Sequence, residues 1–152
     1  MADVVDRTTR SRIMSGIRAK DTKPELALRR KLHQAGLRYR LHGTKLPGKP
    51  DLVLTSRRAV IFVHGCFWHR HNGCHWSSTP ASSSEFWAAK FARNAERDAA
   101  VIVALRSEGW RVAVVWECGL RAPHLDNTIS RLLAWLQSDY EFFESELVRT
   151  RG

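Results

Sequence analysis

A chain of 152 residues is long enough for one domain with a substantial core. Its net charge of +10 is unevenly placed: residues 1–50 hold 13 Lys/Arg against 4 Asp/Glu, and the remainder holds 12 against 11. The basic first third favours a polyanionic partner, and nucleic acid over membrane, since no strongly apolar helix face accompanies the charge.

No apolar run approaches the about 20 residues that span a bilayer, and Met1–Arg7 lacks a signal-peptide core, so a soluble, cytoplasmic protein is expected. Residues 1–20 form a basic arm carrying Arg7, Arg10, Arg12 and Arg18. Thr22-Lys23-Pro24-Glu25 then reads as a helix start, with a threonine cap, proline in the first turn and a glutamate completing a capping box. Leu26, Leu28, Leu32 and the closing Gly36 set that helix at about 24–35. Leu37–His42 is a short strand, and residues 43–50 are turn-rich. Asp51–Thr55 and Ala59–His64 follow as adjacent strands of a buried hairpin. After a cysteine- and histidine-rich loop, a Ser/Thr/Pro linker at 77–84 leads into a long helix over 85–107 that Gly109 ends. Val112–Glu117 is another buried strand and Leu125–Gln137 an amphipathic helix. Residues 139–152 mix acidic and aromatic side chains and read as a poorly constrained tail. The order of elements predicts one α/β domain over 21–138, with a mixed central sheet flanked by helices.

The loop after the hairpin carries the densest chemistry. Cys66, His71 and Cys74 have a spacing that lets two thiolates and an imidazole converge on one ion, and tetrahedral zinc takes such donors. Three ligands leave a structural site incomplete, and the one further cysteine, Cys118, closes the next predicted strand. A Cys₃His zinc site stapling the loop to that strand is therefore expected, in preference to a disulfide. His69 lies between Cys66 and His71 and competes with His71 for the ligand position.

Asp51, directly after Pro50 at the mouth of a hairpin, together with Glu25 on an upstream helix, resembles the PD-(D/E)xK nuclease core. That pattern places a second carboxylate and a lysine two residues apart on the next strand, where this chain has Val63 and Gly65 flanking His64. The departure, read with Val60-Ile61-Phe62-Val63-His64-Gly65-Cys66-Phe67-Trp68-His69, Glu85-Phe86-Trp87-Ala88-Ala89-Lys90, Asn94 with Glu96-Arg97-Asp98, and Gly109-Trp110-Arg111-Val112 with Val115-Trp116-Glu117-Cys118, resembles the very-short-patch mismatch-repair endonucleases over roughly residues 7–137. The resemblance implies a restriction-endonuclease-like fold and an enzyme that nicks double-stranded DNA 5′ of the thymine in a T·G mismatch left by 5-methylcytosine deamination. Such an enzyme implies a bacterial cytoplasmic setting on nucleoid DNA, with other mismatch-repair proteins and a repair polymerase as partners. A monomer is expected.

The same resemblance implies the roles. Asp51 holds Mg²⁺, a hard cation that prefers oxygen, and the Val63 backbone carbonyl is the second protein ligand. Two magnesium ions would stabilise attacking and leaving oxygens. His69 is the general base in place of the missing lysine; His64 and Glu25 hold waters or the scissile phosphate. His71 is then the zinc ligand, with Cys74 one residue later than in a tighter His-x-Cys spacing. Phe67, Trp68 and Trp87 become wedges that separate stacked bases beside the mismatch, with Lys90 reaching the mismatch or a phosphate. Trp87 at helical spacing also reads as core. Trp110, Trp116 and Trp135 are assigned to the core. Two other functions compete: a non-catalytic zinc-stapled DNA-binding module, and a restriction-like nuclease of other specificity.

Overall fold

The computed structural model describes residues 22–71, 74 and 82–145. The basic arm, with Arg7, Arg10, Arg12 and Arg18, and Trp76 lie outside the described residues.

Helix α1 (Lys23–Gln34) starts as its sequence dictates: Thr22 is extended and its hydroxyl accepts the Glu25 N–H, with Pro24 in the first turn. Strand β1 is shorter than expected, only Arg40–Leu41, because His42 turns to φ +53° and ends it. Strands β2 (Leu52–Leu54) and β3 (Ala59–His64) form the predicted antiparallel hairpin through a 3₁₀ turn at Thr55–Arg57. Helix α2 (Ser84–Ser107) then crosses to β4 (Arg111–Trp116), which pairs parallel with β3, and a 3₁₀ turn over Glu117–Leu120 follows. Helix α3 (Leu125–Leu136) leads to β5 (Phe142–Glu144), parallel to β4.

That last strand corrects the reading of the C-terminal tail. Residues 142–144 add an edge strand, and Ser145 accepts the Trp116 N–H through its hydroxyl. Arg111 ties the same segment down: its guanidinium donates to the carbonyls of Trp135, Leu136 and Ser138, its Nε donates to Tyr140, and its charge lies over the Trp135 ring.

The sheet order is β1-β2-β3-β4-β5. Because side chains alternate faces along a strand, β3 and β4 feed two cores. Ala59, Ile61, Ala113 and Val115 pack with Leu28 and Leu32 of α1 and Ile129, Leu132 and Trp135 of α3. Val60, Phe62 and Val112 pack with Leu105 of α2 on the other face, with half-buried Trp110 beside them. This three-layer mixed α/β arrangement fits a restriction-endonuclease-like fold. Trp116 and Trp135 are buried as expected.

Gly48 brings the turn before Asp51 against α2. It has φ +71°, and a Cβ there would sit 2.4 Å from Val101 Cγ1. Gly48→Ala combines a strained backbone with an overpacked contact and should lower unfolding free energy by ~1–3 kcal/mol, measured by urea denaturation.

Candidate active site and metal centre

The two-residue period of β3 splits the sheet end into two half-sites. Val63 belongs to the α1 side and His64 to the α2 side.

On the α1 side stand Glu25, His42 and Asp51, each offering one donor atom within 4.8 Å of the others. Asp51 follows buried Pro50, and its Oδ2 accepts the Val63 N–H at 2.7 Å. That bond fixes the carboxylate against the end of β3. Burial raises the Asp51 carboxyl to about 7, the Val63 bond opposing it and the neighbouring Glu25 charge adding to it. Two crowded carboxylates, one held partly protonated, form a donor set that suits a hard divalent cation, since a cation relieves both the desolvation and the repulsion. Glu25 is 1 % exposed, and its Oε2 accepts both Nε and Nη2 of Arg29, one helical turn on.

On the α2 side, His69 Nδ1 lies 2.6 Å from Asp98 Oδ2, and the His69 ring stacks on His64 with centroids 3.9 Å apart. A carboxylate at Nδ1 holds the proton there and leaves Nε2 as the proton acceptor. Burial, then the adjacent His69, lower His64 to about 3, so His64 stays neutral. Its Nδ1 is buried and has no hydrogen-bond partner among the described residues. Asp51, Val63, His69 and Arg97 line two clefts in common. One also takes in His64 and Asp98; the other, of ≈ 660 Å³, reaches Glu25, Phe67, Trp68, Lys90 and Asn94.

Phe67, Trp68 and Trp87 cluster together, with ring centroids 5.0–5.7 Å apart. All three are half-buried, and Trp87 sits beside exposed Phe86 and buried Phe91 rather than in either sheet core. Lys90 Nζ lies 5.8 Å over the Trp68 ring, and the Asn94 amide donates to the Trp68 carbonyl.

Cys66, His71, Cys74 and Cys118 come together, all buried, with donor atoms within 4.8 Å of one another. His71 Nδ1 is 3.7 Å from Cys66 Sγ and 3.5 Å from Cys118 Sγ. His69 instead lies beside Asp98. No disulfide joins these cysteines. Hydrogen bonding with Cys118 and burial push the Cys66 thiol well above its usual range. Three buried thiols around one imidazole, stacked on Trp116 at 4.2 Å, are a donor set made for a thiophilic tetrahedral ion.

Asp98, Arg29 and His42 have no role from sequence reasoning. Asp98 was findable: Lys90, Asn94 and Asp98 recur every four residues on α2, as Trp87 and Phe91 do, and so share the face turned to the site. His42 carries no such signal, because a left-handed turn sets its place, and Arg29 reads from sequence only as an i,i+4 neighbour of Glu25.

Residues 2–76 match the family described as DNA mismatch endonuclease Vsr. The chain is 49% identical over 120 residues to the type II nicking enzyme V.XorIIP of Xanthomonas oryzae pv. oryzae, covering 79% of this chain and 88% of that one. It is 48% identical over 121 residues to the DNA mismatch endonuclease Vsr of Escherichia coli, covering 80% and 77%. A third relative, the type II nicking enzyme V.NmeAIP of Neisseria meningitidis, is 41% identical over 121 residues, covering 80% and 86%. The chain therefore belongs to the Vsr family of DNA mismatch endonucleases and is a hydrolase that acts on DNA.

Proposed function

We propose that this endonuclease is a magnesium-dependent nickase that cuts one strand of duplex DNA 5′ of the thymine in a T·G mismatch, the product of 5-methylcytosine deamination, and so starts very short patch repair. The observation that carries this reading is one cleft shared by a carboxylate pair, an oriented imidazole and an aromatic cluster. Hydrolytic chemistry needs the first two, and a plain DNA-binding module needs neither.

Asp51 and the Val63 carbonyl would hold Mg²⁺, which would supply positive charge to the scissile phosphate and acidify the attacking water. His69, with Asp98 fixing its tautomer, takes the water proton at Nε2 as the new P–O bond forms and the bond to the leaving sugar oxygen breaks. Asp98 acts through His69 and is a positioning residue. Neutral His64 supports the His69 ring by stacking and holds a water or the scissile phosphate. Glu25 orders water beside Asp51. The Cys66–His71–Cys74–Cys118 set would hold structural Zn²⁺. Phe67, Trp68 and Trp87 wedge into the stack beside the mismatch, Lys90 contacts the mismatch or a phosphate, and the arm over residues 1–20 adds phosphate contacts through Arg7, Arg10, Arg12 and Arg18. The same reading gives a monomeric endonuclease whose domain, expected over 21–138, extends through β5, working on nucleoid DNA in the bacterial cytoplasm, whose nicked product passes to other mismatch-repair proteins and a repair polymerase.

The test is a strand-labelled T·G duplex beside its T·A control, with and without Mg²⁺. A nick only in the thymine strand, only on T·G and only with Mg²⁺ is expected; equal cutting of both duplexes overturns the mismatch reading. Asp51→Ala should abolish nicking yet keep T·G binding. His69→Ala should slow turnover ~10²–10⁴-fold, as loss of a general base does, while Asp98→Asn should slow it less and leave KM nearly unchanged.

Cys118→Ser should lower bound zinc from about one per chain toward none, and Tm by roughly 10 °C or more, because structural zinc contributes folding free energy directly. Metal analysis beside a melting curve checks it, and an unchanged Tm in zinc-free protein counts against the site.

Trp68→Ala should weaken T·G binding about tenfold more than T·A binding, ~1.4 kcal/mol of lost discrimination, since unstacking is least costly where pairing is already faulty. The two affinities at one salt concentration decide it. Equal losses would reduce Trp68 to loop packing.

A further inference from the structure

Arg97 is a cation at the reacting centre to which the chemistry above gives no role. It lines both clefts together with Asp51, Val63 and His69. Lys49 lines only the smaller cleft and Lys90 only the larger, so among the described residues Arg97 is the one Lys or Arg common to both. Its side chain is exposed, and its Nη2 donates to Asn94 Oδ1 at 2.9 Å, a neutral acceptor one helical turn back on α2. Arg106 and Arg121 each meet a glutamate, whereas no carboxylate among the described residues pairs with Arg97. Asp98, the next residue, turns to His69 instead. Asn94 in turn donates its amide to the Trp68 carbonyl, so the residue that holds the guanidinium also touches the aromatic loop.

An exposed guanidinium without a carboxylate partner keeps its charge and most of its N–H fork for an anion, and that fork matches phosphate oxygens. When water adds to a phosphodiester, negative charge gathers on the non-bridging oxygens. A donor already in place there stabilises the transition state more than the ground state. A phosphate lying between Asp51 and His69 is within the part of the clefts that Arg97 also lines.

We infer that Arg97 is a further catalytic residue of this endonuclease, holding a non-bridging oxygen of the scissile phosphate as the water attacks. It transfers no proton: His69 takes that proton, and the guanidinium stays charged throughout. The inference rests on the reading of Asp51 and His69 as the site of strand hydrolysis.

The test is single-turnover nicking of a T·G duplex at saturating enzyme and Mg²⁺ by wild type, Arg97→Gln, Arg97→Lys and Asp51→Ala. Beside it, binding without divalent cation is measured on T·G duplexes carrying one neutral methylphosphonate, at the scissile position or at a remote one. Arg97→Gln should slow nicking ~10²–10³-fold, as loss of a transition-state donor does, and Arg97→Lys should recover part of that loss. Wild type should bind the scissile methylphosphonate about tenfold less well than the unmodified duplex, the scale of one charge-assisted hydrogen bond. Arg97→Gln should bind those two duplexes alike, and the remote methylphosphonate should cost both proteins equally. Wild-type nicking by Arg97→Gln, or equal losses by both proteins at the scissile methylphosphonate, overturn the role of Arg97 while leaving Asp51 and His69 in theirs. If Asp51→Ala nicks as wild type does, the hydrolytic reading itself fails, and the role of Arg97 with it.

Discussion

Both working regions of the molecule hang from the parallel pairing of β3 with β4. The register sets Val63 beside Val115 and His64 beside Trp116. Two residues further along each strand come Cys66 and Cys118, and the ladder gives way to a Cys118 N–H donating to Cys66 Sγ at 3.4 Å. A slip of one residue would turn His64 to the α1 face and separate the two sulfurs. The four residues between Cys66 and His71 are Phe67, Trp68, His69 and Arg70, so the thiol-imidazole cluster grips this segment at both ends. The aromatic cluster and His69 thus inherit their positions from the metal-type cluster, although neither belongs to it. A side chain that touches no DNA can in this way control catalysis.

The second constraint is electrostatic. Two like charges about 4 Å apart repel by ~4 kcal/mol at an effective dielectric near 20, and burial adds to that. The molecule answers this differently on the two faces. On the α1 face Glu25 is paired with Arg29, and Asp51 keeps its proton until about pH 7 unless a cation takes its place. On the α2 face His64 is held neutral and only His69 has a carboxylate partner. One neutral and one carboxylate-paired imidazole, stacked face to face, avoid the repulsion that two imidazolium rings would suffer.

Most of the architecture was legible in the residues because the strands are short apolar runs and α1, α2 and α3 carry start or stop signals. The zinc-type ligand set was legible because cysteine is scarce: with Cys66 and Cys74 close together, Cys118 had nowhere else to be used. The strand at Phe142–Glu144 was not, because an edge strand of three residues pairs through its backbone and needs no apolar alternation. Arg29 escaped for a different reason. On a helix surface an i,i+4 Glu–Arg pair is an ordinary solvated contact of little consequence. Only burial makes the same spacing matter, and the neighbours that crowd this pair, Asp51 and the His42 turn, lie elsewhere in the chain.

Helix α2 is the element through which recognition and chemistry meet. Trp87 lies in the aromatic cluster, Lys90 reaches over Trp68, Asn94 donates to the Trp68 carbonyl, and Asp98 orients His69. These residues follow one another at three- and four-residue steps on a single rigid face, so they cannot move independently. In the proposed reading, a duplex that admits the wedge leaves α2 in place, with Asp98 against His69 as it already stands. A correctly paired duplex resists unstacking and holds the wedge out, which displaces the same face of α2. Arg70, in a left-handed turn, clamps this linkage by placing its guanidinium 4.1 Å over Phe91 while donating to the Phe67 carbonyl. Mismatch selectivity then belongs to turnover as well as to binding, because the geometry that senses the weak pair also completes the base.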